Sequence, residues 1–226
     1  MENAAKALLM AGGILIALLI IGALMLMFNQ VGSYQQSESD NLKNSQLVDF
    51  NKQYTQYAED IYGYEFISLI NKVVDYNEKK PDIGNEFAYQ QITVKVNLGN
   101  FAGKSNYFDA NYEIVNKQSD LYKKIYHFRH DFEDTYGLAT MSKLSANYDS
   151  ILRYVELKKD RASDGAIDIE LGKSTRVFIE SHRDISTKDI EEYREYSEFK
   201  KIKLKCTKED YYNNSQIKEL DFEYIE

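Results

Sequence analysis

Two imidazoles three residues apart are the side chains best placed for chemistry in this sequence. The run His127-Phe128-Arg129-His130 is followed closely by Asp131 and Asp134. On a helix, positions i and i+3 share a face, and two imidazole nitrogens with a carboxylate suit a divalent transition metal. His127, His130 and Asp134 are therefore one candidate metal set. The run lacks the glutamate base of the metalloprotease helix motif, and His182 is the only other histidine. The competing reading is a solvent-facing polar strip opposite Phe128 and Phe132.

A second set lies in Asp160 to Leu171, which partly copies a calcium loop. Asp160, Asp164 and Asp168 take its first, fifth and ninth positions, and Gly165 takes the sixth. It departs at the third position, Ala162, and at the twelfth, Leu171, where a bidentate glutamate belongs. An Asp-Gly turn between two strands explains the same residues. Nucleophile-elbow, phosphate-loop and dinucleotide glycine motifs are absent. The single cysteine, Cys206, excludes an intramolecular disulfide or a cysteine-based zinc site. It reads as an apolar filler on the core side of a strand. No catalytic residue and no cofactor are assigned, and a non-enzymatic role is favoured.

The elements that must position these residues begin with a membrane segment. Ala7 to Phe28 holds no charged or strongly polar residue. At 1.5 Å per residue it reaches about 33 Å, enough for a hydrocarbon core. The bulky exit, Met25-Leu26-Met27-Phe28, offers no small-x-small cleavage site. Residues 1–28 therefore read as an uncleaved signal-anchor in the lipid bilayer of the cell membrane. Lys6 and the amino group lie on one side, and the next basic residue after the span is Lys43. That asymmetry predicts a cytoplasmic N-terminus and an extracytoplasmic C-terminal part. Ala7, Ala11, Gly13 and Ala17 put small residues one turn apart, a face on which other membrane helices or a second copy could associate.

Beyond the span, residues 29–43 read as a polar stalk and residues 44–226 as one α+β domain. Leu47, Phe50, Tyr54, Ala58 and Ile61 repeat at helical spacing until Gly63. Phe66, Ile67, Leu69, Ile70, Val73 and Val74 predict a second helix ending before Pro81. Ile92 to Leu98 alternates as a strand, and Phe108 to Val115 is a weaker second one. Ser119 is placed to cap a helix carrying Leu121, Ile125, Phe128 and Phe132 on one face, with Gly137 past its end. Residues 151–180 read as a β-meander, and Ser186 with Asp189 as a capping box. Ile202, Leu204 and Cys206, then Leu220, Phe222 and Tyr224, form the inner face of a C-terminal hairpin. Its outer face sets a lysine row beside a carboxylate row.

The chain has 226 residues and 28 basic against 36 acidic side chains, a formal charge of −8. The hairpin carboxylates offset the lysine run, so no nucleic-acid partner is expected. One proline and eleven glycines exclude collagen-like or Pro/Gly-rich disordered classes. Nineteen tyrosines without tryptophan suit a β-rich surface.

Three stretches carry a resemblance: the start Met-Glu-Asn-Ala-Ala-Lys-Ala-Leu leading into Gly12-Gly13, the segment Asp49-Phe50-Asn51-Lys52-Gln53-Tyr54, and Phe66-Ile67-Ser68-Leu69-Ile70-Asn71-Lys72. Over roughly the first 98 residues the sequence resembles uncharacterised single-pass membrane proteins of Gram-positive bacteria, some with a type IV pilin-like layout. The resemblance implies an apolar N-terminal helix, an amphipathic continuation and an antiparallel sheet. A prepilin peptidase site is missing, and the polar stretch with Gly32 departs from the pilin pattern. The expected function is a membrane-anchored, extracytoplasmic structural or interaction protein, pilin-like or part of a cell-surface assembly. The alternative class is a membrane-anchored hydrolase or metal-dependent binding protein built on His127, His130 and Asp134.

Overall fold

A computed structural model describes residues 2–79 and 90–226. The chain forms two compact units, Met1–Lys52 and Gln53–Glu226. The first is the body of one long helix, α1, Glu2–Thr55. Asn29 to Lys43, expected as a stalk that interrupts the helix, is helical throughout. It holds no proline, and its single Gly32 costs only about 1 kcal/mol in a helix. Within α1, Met10–Phe28 is long and apolar enough to cross a membrane by length and composition, with a mean hydropathy of 2.7. Ala11 and Gly13 are exposed, whereas the side chains of Ala7 and Ala17 lie outside the described residues.

The second unit is α+β, as expected, but more helical than the sequence suggested. A strand, β1 (Asp60–Tyr62), leads into α2 (Gly63–Lys79). Ile61, expected on the first helix, belongs to β1 and pairs with Leu204. The expected stop at Pro81 lies outside the described residues. Strand β2 (Thr93–Asn97), the turn α3 (Gly99–Ala102) and β3 (Asn111–Ile114) follow. Helix α4 (Asp120–His127) runs into a π-helical turn, Phe128–Glu133, and then α5 (Asp134–Tyr136). Helices α6 (Leu138–Ala146), α7 (Tyr148–Lys159), α8 (Asp164–Leu171), α9 (Lys173–Glu180) and α10 (Thr187–Phe199) come next. The chain closes with the hairpin β4 (Lys203–Tyr211) and β5 (Ile217–Ile225).

The five strands form one mixed sheet in the order β1-β4-β5-β2-β3. This unit was expected to carry an antiparallel sheet, but β2 runs parallel to β5, and only the other pairs are antiparallel. Alternation sends Val94, Val96, Leu220, Phe222 and Leu204 to the inner face, all buried. Phe66 of α2 meets Phe222 edge-on at 5.3 Å, and Phe199 of α10 stacks on Phe108 at 5.0 Å. Aromatic rings thus knit the sheet to the helices.

The expected β-meander over 151–180 is helical instead. Ile151 and Tyr154, at i and i+3, are the buried side chains of α7, and Ile167 and Ile179 anchor α8 and α9. The Ile and Val content suggested strands, but these segments bury only one or two side chains each, with no alternating buried face. Ser163 accepts a hydrogen bond from the Ala166 N–H, which starts α8 where a calcium loop was considered. The Ser186–Asp189 capping box forms in both directions. Ser119 does not cap as expected: its hydroxyl accepts from the N–H groups of Val115 and Asn116 behind it. Cys206, expected against the core, is half-buried beside a β-bulge between Cys206 and Lys208.

Candidate functional site

Each histidine of the pair holds a separate carboxylate. His127 Nδ1 lies 2.6 Å from Asp131 Oδ2, and its ring sits edge-on to Phe132 at 5.0 Å. His130 Nδ1 lies 2.8 Å from Asp134 Oδ2, with its ring 3.9 Å from that of Tyr126. His127 is the last residue of α4, and His130 lies in the π-helical turn. Each imidazole is left with its own carboxylate one turn on.

The aspartates of the considered calcium loop are spread along two elements. Asp160 ends α7, while Asp164 and Asp168 belong to α8. Arg176 of α9 holds Asp168 at 2.7 Å and Glu180 at 3.1 Å, and Lys158 holds Asp164 at 3.1 Å. Cations from the neighbouring helices therefore take the place a metal would occupy. Among the described residues, no three His, Cys, Asp or Glu side chains gather as metal ligands.

What the fold does assemble is a polar cleft of about 520 Å³ that no motif announced. The end of α6 gives Ser142, Ser145 and Ala146, and the start of α7 gives Tyr148 and Asp149. The last two turns of α10 and its exit give Arg194, Ser197, Glu198, Lys200 and Lys201, and α2 adds Tyr64. Gly137 (φ +85°) allows the abrupt turn from α5 into α6, a conformation in which other residues are strained. Met141 and Leu144 are the buried face of α6, which packs on α10, so the serines on its other positions are left for the cleft.

Each charge in the cleft has a distinct status. Lys201 Nζ donates to Glu198 at 2.7 Å. Lys200 Nζ donates to Glu133 Oε1 at 2.9 Å, an oxygen that also accepts from the Tyr193 hydroxyl at 2.8 Å. Lys200 further lies over the Tyr196 ring, 4.5 Å from its centre. Burial, reinforced by the Glu133 charge, pushes the Tyr193 phenol well above its ordinary range. The Tyr193 hydroxyl is therefore a fixed donor rather than an acid. Arg194 lies over the Tyr148 ring at 5.6 Å and, among the described residues, has no carboxylate at ion-pair distance. Burial and a hydrogen bond to Glu191 raise the Tyr148 phenol as well.

Tyr64 is fixed by its backbone. Its N–H donates to the Lys200 carbonyl at 3.1 Å, and the Gly63 N–H donates to the Ile202 carbonyl at 2.9 Å. Its ring stacks on Tyr62 at 5.7 Å with planes 10° apart, yet stays 54% exposed. The cleft thus offers an exposed aromatic ring, hydroxyls and, among the described residues, one cation without an ion-pair partner. Comparison with protein-family models, curated proteins and solved structures gave no match.

Proposed function

We propose that this chain is a single-span membrane protein whose α+β unit serves as an interaction module rather than an enzyme. One observation carries the reading: among the described residues, none of the apolar stretch Met10–Phe28 is buried within the chain. Met10 and Phe28 at its ends are each 73% exposed. A core helix of a soluble protein would bury one face, whereas these side chains need lipid or other apolar helices around them. The continuity of α1 from its apolar into its polar half supports the pilin-like order of parts, since the helix break that spoke against it is not there. Lys6 before the span, with Lys43 the next basic residue after it, favours a cytoplasmic N-terminus.

Alkaline carbonate extraction and protease shaving of intact cells test this. The full chain should stay with the membrane pellet, and a C-terminal tag should be cut while an N-terminal tag is protected. Release into the carbonate supernatant would sink the anchor. A protected C-terminal tag would reverse the orientation.

A further inference from the structure

We infer that the cleft between α6, α7 and α10 binds a saccharide, a ligand class that deepens the interaction reading above and rests on it. The charges come first. Of the cations lining the cleft, Lys201 is paired with Glu198 at the surface and Lys200 with the less exposed Glu133, so each has a counter-charge beside it. One unpaired cation, Arg194, and one carboxylate without a basic partner, Asp149, remain among the described residues. That balance, on a chain of net charge −8, suits a neutral polar ligand and disfavours a phosphate or polyanion.

The neutral groups narrow the class. Ser142 and Ser145 hydroxyls line the cleft with no partner in the chain among the described residues, and each both donates and accepts. Arg194 presents a planar fork of donors and Asp149 a pair of acceptor oxygens, groups that suit the hydroxyls of a polar ligand. The exposed Tyr64 ring, backed by Tyr62, supplies a flat apolar surface at the rim. A sugar ring combines these properties: an apolar C–H face for the phenol and a girdle of hydroxyls for the serines, arginine and aspartate. A volume of about 520 Å³ lies within the range of small-ligand sites.

The test uses the full chain in phosphatidylcholine nanodiscs, with chitotriose and maltotriose as probes and inorganic phosphate as competitor. Saturation-transfer NMR from the aromatic protons, with calorimetry, reads the contact. At least one trisaccharide should bind saturably and receive transfer at its C–H protons. Tyr64→Ala and Arg194→Gln should each weaken that binding about tenfold or more, while Tyr64→Phe, which keeps the ring, should bind within about threefold of the parent. Thermal unfolding of each variant checks that the unit remains folded. Binding of neither trisaccharide, or binding indifferent to both disruptive variants, would overturn the proposal. So would inorganic phosphate binding that depends on Arg194 without sugar binding, since that would mark an anion site. Membrane anchoring fails separately, by a chain that never enters the nanodisc, and saccharide binding is then measured on that soluble chain.

Discussion

Lys95 and Lys208 are the register partners of Asp221, yet both ammonium groups reach past it to Glu219. Lys95 lies 2.6 Å and Lys208 2.9 Å from the Glu219 carboxylate, which their hydrogen bonds hold below its usual range. Asp221, two residues along the same face of β5, keeps a buried Oδ1 with no hydrogen-bond partner. Burial, then the Glu219 charge, pushes its carboxyl above the usual range. The two carboxylates therefore act on stability with opposite sign. Glu219 stabilises the fold above the ordinary carboxylate pKa, and that contribution fades as pH falls through its lowered folded value. Asp221 is penalised while ionised, and the penalty lifts as pH falls through its raised folded value. Asp221→Asn should thus raise stability near pH 7 by ~0.5–1 kcal/mol, reduced by solvent at the groove. Its advantage should shrink as pH falls through that raised value and be largely gone by about pH 4. Glu219→Gln should cost ~1–2 kcal/mol near pH 7. Denaturant titrations at both pH values check the signs, and a destabilised Asp221→Asn at neutral pH would contradict them.

At the scale of elements, the contact between α2 and α10 depends on a missing side chain. A Cβ on Gly63 would stand 1.8 Å from the Phe199 carbonyl oxygen, an impossible approach to backbone. Gly63→Ala should therefore cost ~1–3 kcal/mol or more and shift Tyr64 away from the cleft. Leu204 is fully buried opposite Ile61 of β1, so Leu204→Ala should cost ~2–5 kcal/mol. Chemical denaturation reads both, and a mild Leu204→Ala would deny the hairpin its place in the core. That hairpin was legible because its period of two is clean over both strands. α2 and α10 were legible from a helical apolar stripe and a capping box. The short helices over 151–180 were not, because segments of 8–12 residues that bury one or two side chains carry too little periodicity to tell helix from strand. Nor could any local pattern reveal that β2 runs parallel to β5, a pairing that bridges more than a hundred residues. The π turn over Phe128–Glu133 leaves no mark in the spacing either.

For the whole molecule, the division into Met1–Lys52 and Gln53–Glu226 falls inside α1, not at the polar segment that the composition favoured. Composition registers solvent exposure, and an exposed helix is as polar as a stalk. The cleft was invisible in the sequence for a related reason: Tyr64, Ser142, Tyr148 and Arg194 are brought together only by the packing of α2, α6, α7 and α10. The division makes a prediction at this scale. Tyr54 lies beyond the boundary, is buried, and sits edge-on to Tyr76 at 6.2 Å. A chain beginning at Gln53 should therefore keep that contact and contain a full core, since domains of this size bury about two thirds or more of their surface. It should be released from membranes and still unfold in one cooperative transition, with far-ultraviolet and tyrosine near-ultraviolet dichroism coinciding. Removing Tyr54 as well, in a chain beginning at Tyr57, should lower its stability by ~3–5 kcal/mol, the cost of emptying a buried aromatic site. If the chain from Gln53 shows no cooperative transition, the last turns of α1 are part of the fold they were taken to adjoin.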